Sequence, residues 1–189
     1  MAYQTDCQLD AKGLACPMPI VKTKKAMNDL KEGQVMEIQA TDKGSTADLK
    51  AWATSTGHHY LGTLEEAGVF KHYVRKSNPK ETKEETKHPH VMDLVAFSQK
   101  INNEHELTIL DVREPAEYAF GHIPGAINIP LDTLEQQVDT LNKEHEIYVI
   151  CRTGNRSDYA AQQLAAKGFE RVINVVPGMN EWTGKTKQL

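Results

Sequence analysis

The stretch Ile147-Tyr148-Val149-Ile150-Cys151-Arg152-Thr153-Gly154-Asn155-Arg156-Ser157 joins an apolar run to a short polar loop and a helix start. The continuous apolar run predicts a strand buried on both faces, as in parallel sheets. Such a strand followed by a loop and a helix is typical of α/β proteins, whose sites lie at the carboxyl ends of the strands. The sequence therefore places Cys151 where a functional residue is expected.

The loop after Cys151 is suited to holding a negatively charged sulfur. Its N–H groups can point back at the thiol where the helix begins, which is a good place to bind an anion. Since two arginines add positive charge, we expect a Cys151 thiolate that acts as the nucleophile. The candidate residues for binding an anionic sulfur donor are Arg152, Thr153, Gly154, Asn155, Arg156 and Ser157. The alternatives are an inert core cysteine and arginines that serve only as surface charge or loop salt bridges.

The spacing from Cys151 to Arg156 favours sulfur chemistry over phosphate chemistry. Four residues separate the two, whereas the loops of cysteine phosphatases and arsenate reductases are one residue longer and surround a whole oxyanion. The smaller ring is better suited to a persulfide, in which one sulfur is bonded to the thiolate. A phosphatase or arsenate reductase is therefore the less favoured alternative.

Several motifs flank this loop, namely Asp111-Val112-Arg113-Glu114, Tyr118, Gly121-His122-Ile123-Pro124-Gly125-Ala126, Asn128-Ile129-Pro130 and Gly178-Met179-Asn180-Glu181-Trp182. Together with the loop, and in this order, they resemble the motifs of a single-domain rhodanese. The resemblance covers about residues 90 to 185 and implies a rhodanese-like α/β domain with sulfurtransferase activity. Asp111 and Arg113 are accessory candidates for orienting the loop, but a structural hydrogen-bond network is the preferred interpretation.

The second half of the chain alternates helical and strand patterns, which predicts a parallel sheet with helices on both faces. The predicted helices cover 92–102, 114–119, 131–142 and 157–167, and the strands cover 107–110, 126–129, 147–150 and 172–175. We expect a further helix near Trp182 to pack on the sheet. The fold class is α/β.

The first half has the pattern of a smaller, separate domain. Strands are predicted at 3–9, 34–40, 58–64 and 69–75, with helices at 17–31 and 45–56. The order βαβαββ most simply forms a two-layer α/β sandwich with both helices on one sheet face. A charged segment without large apolar residues follows. The predicted domains are therefore 1–76 and 90–189, joined by a linker at 77–89.

A second cysteine with functional character lies in the first domain. Cys16 directly precedes a predicted helix, and Pro17 and Pro19 fit the first turn of that helix. The helix dipole is expected to favour a Cys16 thiolate, while the prolines remove two N–H groups that could hold the sulfur. Such a sulfur should be exposed and easily handed on. A structural capping role for Cys16 is the alternative.

This Cys-Pro-x-Pro motif, preceded by Gly13-Leu14, resembles that of the TusA/SirA-like sulfur-carrier family over about residues 5 to 76. The resemblance implies that Cys16 carries sulfur. The whole chain resembles a TusA–rhodanese fusion sulfurtransferase.

Two further groups of residues are functional candidates. Cys7 alternates with Thr5 and Leu9 in the first strand, which favours core packing over a resolving thiol that forms a disulfide with Cys16. His58, His59 and His72 fall in neighbouring predicted strands, but no cysteine or carboxylate completes a zinc set. We therefore predict no metal site and no cofactor other than covalent cysteine persulfides.

Composition and charge narrow the class of protein. The 189 residues include three cysteines, an odd number that fits thiol chemistry in a reducing compartment. No run of eighteen apolar residues and no leader-like N-terminus occur, so we expect a cytoplasmic protein that does not bind membranes. Residues 1–76 carry ten Lys and Arg against nine Asp and Glu, and residues 91–189 carry nine against fourteen. This balance gives no basic footprint for nucleic acid.

These observations predict a sulfur relay. Cys151 would take sulfur from thiosulfate or a low-molecular-weight persulfide, and Cys16 or another thiol, including one on a protein, would accept it. A tether of about 14 residues can span some 45 Å, which permits transfer within one chain or between the chains of a homodimer. A relay that feeds tRNA thiolation or cofactor synthesis is the open alternative, because it differs only in the final acceptor.

Overall fold

Residues 3–79, 87–103 and 107–189 are described by a computed structural model. The chain divides into two units, Met1–Asn78 and Pro79–Leu189. Residues 80–86, which form most of the predicted linker, lie outside the described residues. Each unit is described by itself below.

The first unit is the predicted βαβαββ sandwich. Its elements are β1 Cys7–Asp10, α1 Met18–Asp29, β2 Val35–Ala40, α2 Ser45–Ser55, β3 His59–Glu66 and β4 Val69–Arg75. The sheet order is β1-β2-β4-β3, with β1 parallel to β2 and the other pairs antiparallel. Met27 of α1 and Leu49 of α2 share one apolar core with Met36 and Ile38 of β2. Both helices therefore cover the same sheet face, as predicted.

The second unit is an α/β domain with a parallel sheet. Its elements are β5 Val91–Asp93, α3 Leu94–Asn103, β6 Leu107–Asp111, α4 Pro115–Phe120, β7 Ile127–Asn128, α5 Leu134–Gln137, β8 Glu146–Ile150, α6 Asn155–Ala166 and β9 Val172–Val176. The sheet order is β5-β9-β8-β6-β7, and every pairing given for it is parallel. The predicted fold class is confirmed.

Strand β8 lies in the middle of this sheet and is covered on both faces. Ile147, Val149 and Cys151 belong to the apolar core that includes Leu164 of α6. Tyr148 and Ile150 point to the opposite core, which contains Phe97 of α3. Burial on both faces explains why this strand reads as a continuous apolar run.

The prediction and the structure differ at three elements of the second unit. Strand β5 has only three residues and leads directly into α3, so its pattern merges with the predicted helix. The predicted helix 131–142 is shorter, because α5 covers four residues and a 3₁₀ turn follows at Val138–Thr140. Near Trp182 the chain forms a 3₁₀ turn, Met179–Glu181, and Trp182 still packs against the core. Helices this short are set by tertiary packing rather than by periodicity.

Residues at both ends of the predicted linker are hydrogen-bonded to the unit they adjoin. The Ser77 N–H donates to His58 Nδ1 at 3.2 Å. The N–H groups of Lys87 and His88 donate to the Asp158 carboxylate at 2.9 to 3.1 Å. Ser77, Lys87 and His88 of the predicted linker are therefore anchored to the units.

Candidate active site

Cys151 lies directly after β8, at the carboxyl edge of the parallel sheet. Its backbone is held by the turn after β9, because the Met179 N–H donates to the Cys151 carbonyl at 2.8 Å. A Cβ on Gly178 would lie 2.5 Å from that same carbonyl, so a side chain cannot be accommodated at position 178. The strand and this turn together fix where the sulfur lies.

Two hydrogen bonds are directed at the Cys151 sulfur. The Gly154 N–H donates to Sγ at 3.1 Å, and the Ser157 hydroxyl donates to it at 3.3 Å. Gly154 has φ +92° and caps α6, and a Cβ there would lie 3.0 Å from Val176 Cγ1. A glycine is therefore required both for the turn and for the close approach to β9. The geometry provides donors for negative charge on sulfur at a helix N-terminus.

The Cys151 side chain is fully buried, with 0% of its surface exposed. Along the loop, Arg152 and Asn155 are half-buried, Thr153 is exposed, and Gly154, Arg156 and Ser157 are buried. Negative charge on the sulfur would thus be stabilised by fixed dipoles instead of water. The Cys151 thiol is therefore shielded from solvent.

Arg156 forms a buried ion pair with Glu117 of α4. Its Nη1 and Nη2 donate to the two carboxylate oxygens at 2.8 and 3.0 Å, and both residues are at most 6% exposed. Glu117 also accepts the N–H of Glu114 at the start of α4. The guanidinium therefore braces α6 against α4, a contact that the sequence spacing did not indicate.

Asp111 and Arg113 form a second buried pair. The Arg113 Nε donates to Asp111 at 2.9 and 3.0 Å, and its Nη2 donates to the Gly121 carbonyl at 2.8 Å. Asn128 adds hydrogen bonds to the carbonyls of both residues. This network ties the segments after β6 and α4 to one another.

The surroundings of Cys16 differ from those of Cys151, because the Cys16 side chain is exposed. The loop that precedes Cys16 is hydrogen-bonded to β2 and to the residue after β2. The Ala11 N–H donates to the Gln39 carbonyl, and the Gly13 N–H donates to Thr41 Oγ1. Pro17 and Pro19 open α1 as predicted. The Cys16 thiol is therefore accessible to solvent.

The ionisation of Cys16 differs from the expectation. A hydrogen bond with the Asp48 carboxylate of α2 is the main reason that the pKa of the Cys16 thiol is raised. The helix dipole of α1 alone would lower it. The fold brings an acidic residue from a distant part of the sequence next to the thiol, and that contact reverses the expected direction.

The remaining candidates, Cys7 and His72, make contacts within the first unit. Cys7 packs against the core at the start of β1, whereas Cys16 follows the end of that strand, and all three cysteines are free thiols. His72 is buried, with its ring nitrogens bonded to Ser45 and Tyr60. Among the described residues, no group of three or more His, Cys, Asp or Glu is placed to hold a metal ion. Within the same residues, no helix has both the length and the apolar character needed to cross a membrane.

One residue near Cys151, Asn174, was not predicted from the sequence. Asn174 is fully buried in β9, and its Nδ2 donates to the Gly154 carbonyl at 3.2 Å. A polar residue inside the apolar run Val172-Ile173-Asn174-Val175-Val176 was the feature that could have revealed it.

Comparison with known families assigns each unit. Residues 7–76 match the family described as sulfurtransferase TusA, and residues 94–185 match the rhodanese-like domain. These matches define a class of proteins that combines a sulfur carrier with a rhodanese-like domain. The chain belongs to this sulfur carrier and sulfurtransferase family, since it is 56% identical over 179 residues to YrkF of Bacillus subtilis (strain 168), which is provisionally named a sulfur carrier protein. That match covers 95% of this chain and 96% of YrkF.

Each unit is also similar to a separate protein. The sulfur carrier protein TusA of Allochromatium vinosum is 44% identical over 72 residues, which cover 38% of this chain and 95% of that protein. The crystal structure of a rhodanese-like domain protein from Staphylococcus aureus matches with a TM-score of 0.50 and 30% identity. It covers 53% of this chain and 98% of that chain.

Proposed function

We propose that Cys151 takes sulfane sulfur from thiosulfate or a low-molecular-weight persulfide and passes it to Cys16 or another thiol. The observation that carries this proposal is the pair of donors on the Cys151 sulfur, the Gly154 N–H at 3.1 Å and the Ser157 hydroxyl at 3.3 Å. Donors fixed around a sulfur stabilise both the attacking thiolate and a persulfide anion.

The proposed chemistry needs no cofactor. The Cys151 thiolate attacks the outer sulfur of thiosulfate, a new S–S bond forms, and sulfite leaves with the electrons of the broken bond. The Cys16 thiolate then attacks the terminal sulfur, and Cys151 leaves as a thiolate. Cys16 must first lose its proton, a step that the nearby Asp48 carboxylate makes harder because it raises the pKa of the thiol. Electrons balance at each step without an oxidant or a reductant.

The length of the tether supports the proposal of transfer within one chain. Ser77 and Lys87 are each bonded to their own unit, so the connection spans ten peptide units and at most about 35 Å. The chain leaves the first unit beside the end of α1, because Lys76 Nζ donates to the carbonyls of Met27 and Leu30. Cys16 precedes that twelve-residue helix, which is about 18 Å long. A tether of this length permits transfer within one chain as well as transfer between the chains of a homodimer.

The exposure of Cys16 supports a role toward acceptors outside the chain as well. An exposed thiol on a small carrier can deliver sulfur to a protein, as a relay for tRNA thiolation or cofactor synthesis requires. Phosphatase or arsenate reductase activity has less support, because the loop is short and the Arg156 guanidinium is engaged by Glu117. Hydrolysis of an aryl phosphate that depends on Cys151 would instead favour phosphatase activity over sulfur transfer.

Intact-mass and peptide-mass spectrometry after exposure to thiosulfate tests the proposal. We expect the wild type to gain the mass of a sulfur atom at Cys151 first and at Cys16 later. The variant Cys16→Ser should retain loading at Cys151, and Cys151→Ser should lose loading at both sites. Cys7→Ser is the matched control and should load like the wild type. Loading of Cys151→Ser from thiosulfate at the wild-type rate would refute the assignment.

A further inference from the structure

Asn174 is a polar residue in a part of the sheet that is otherwise apolar. It lies in β9, between β5 and β8, and 0% of its surface is exposed. Its Nδ2 donates to the Gly154 carbonyl at 3.2 Å. Its Oδ1 is buried and accepts no hydrogen bond from the described residues. A buried carboxamide that is only half satisfied costs stability, and valine or isoleucine would suit such a strand better.

Asn174 contacts Gly154, the residue whose N–H donates to the Cys151 sulfur. The Gly154 carbonyl accepts three hydrogen bonds, from the Asp158 N–H, the Ser157 hydroxyl and Asn174 Nδ2. The first two come from α6 itself, so they move with the loop. Asn174 is the donor from the sheet, and it therefore fixes Gly154 relative to β8 and to Cys151.

The orientation of Gly154 determines where its N–H points. Its left-handed backbone, with φ +92°, directs the carbonyl to β9 and the N–H to the sulfur. Glycine in this region has a broad choice of conformations, so the backbone alone does not hold the orientation. A fixed donor on the carbonyl removes that freedom.

We propose that Asn174 is a positioning residue that keeps the Gly154 N–H directed at the Cys151 sulfur. The role in sulfur transfer rests on the proposed function of Cys151. The role in setting the reactivity of the thiol does not depend on it. The half-satisfied carboxamide of Asn174 lowers local stability, and its contact with Gly154 preorganises the anion site.

The test compares Asn174→Leu, which keeps the shape but has no donor, with Asn174→Val, which suits a buried strand. Both are made in a Cys7→Ser/Cys16→Ser background, so that Cys151 is the single thiol. The rate of Cys151 alkylation by iodoacetamide is measured as a function of pH, together with sulfur loading from thiosulfate and urea unfolding. We expect alkylation at neutral pH and sulfur loading to fall roughly tenfold, while alkaline alkylation rates converge and stability is kept or increased.

A matched control separates positioning from general loss of packing. Thr108→Val removes a part-buried side-chain hydrogen bond to His145 near the amino end of β6, the strand that pairs with β8 on the side away from β9. It should leave the pH profile of alkylation unchanged. The proposal is wrong if the profiles of both Asn174 variants superimpose on that of the parent, or if Thr108→Val shifts the profile equally. Failure of the parent itself to load sulfur would refute the proposed function, while the alkylation profile would still decide the role of Asn174.

Discussion

Breaking the Arg156–Glu117 pair should destabilise the second unit by an amount that can be worked out from its geometry. Glu117→Gln keeps the shape of the side chain but leaves the guanidinium buried without its counter-charge. Breaking a buried ion pair costs about 3 to 5 kcal/mol. The Glu114 carboxylate lies 3.9 Å from Arg156 Nη1 and compensates in part, so we expect a loss of about 3 kcal/mol, near the lower limit of that range.

Urea unfolding followed by tryptophan fluorescence measures this loss. The chain has two tryptophans, one in each unit, so a Trp52→Phe background leaves Trp182 to report on the second unit. With a slope of about 1.5 kcal/mol per molar urea, the midpoint should fall by roughly 2 M. A fall below about 0.5 M would show that the pair is not a brace of the kind inferred here.

A double variant of the same pair tests whether Arg156 supports sulfur loading as a structural brace or by binding the donor. The double variant Arg156→Met/Glu117→Leu replaces the buried charges by apolar groups of similar size, which should recover most of the stability. If Arg156 acts as a brace, sulfur loading of Cys151 recovers as well. If Arg156 binds the anionic donor, as the sequence predicted, loading stays low although the fold is restored.

Three further predictions concern the other described groups. Asp48→Asn removes the carboxylate that raises the pKa of Cys16, so Cys16 should be alkylated faster at neutral pH, whereas Asp29→Asn, an exposed control, should have no effect. Burial lowers the pKa of His72 to about 4. The folded state thus binds fewer protons than the unfolded state between pH 4 and about 6.5, and the first unit should lose up to about 3 kcal/mol as the pH falls through that window. His72→Gln should flatten this dependence in urea unfolding, and an unchanged slope would contradict it. Gly178→Ala should reduce sulfur loading of Cys151 by at least about tenfold, because its methyl group would meet the Cys151 carbonyl, and wild-type loading would show that the turn adapts.

The architecture could be predicted because its determinants are local in the sequence. The runs that become β2, β4, β8 and β9 carry the apolar patterns of strands, and the predicted bounds agree with the observed ones to within about two residues. The position of Cys151 after a buried strand and before α6 followed from the same patterns. The two-layer arrangement of the first unit, with both helices on one sheet face, followed from the order of its elements.

The details that were missed depend on contacts between distant parts of the chain. Glu117 and Arg156 are 39 residues apart, and no local pattern connects them. The influence of Asp48 on Cys16 appears only when α2 packs next to the start of α1. Asn174 had a visible signature, a polar residue in a strand, but its partner is a backbone carbonyl that sequence cannot indicate.

The attachment of Lys87 and His88 to Asp158 determines how the second unit can be produced as an independent fragment. The rhodanese-like match begins at residue 94, yet β5 starts at Val91 and the two N–H groups on Asp158 come earlier still. A truncation at residue 94 would delete an edge strand and would remove two backbone N–H donors from the Asp158 carboxylate in the first turn of α6, leaving it the donor from Gln162. Expression clones of this half should therefore begin no later than residue 86, which preserves the anchoring of the helix that starts at the cysteine loop.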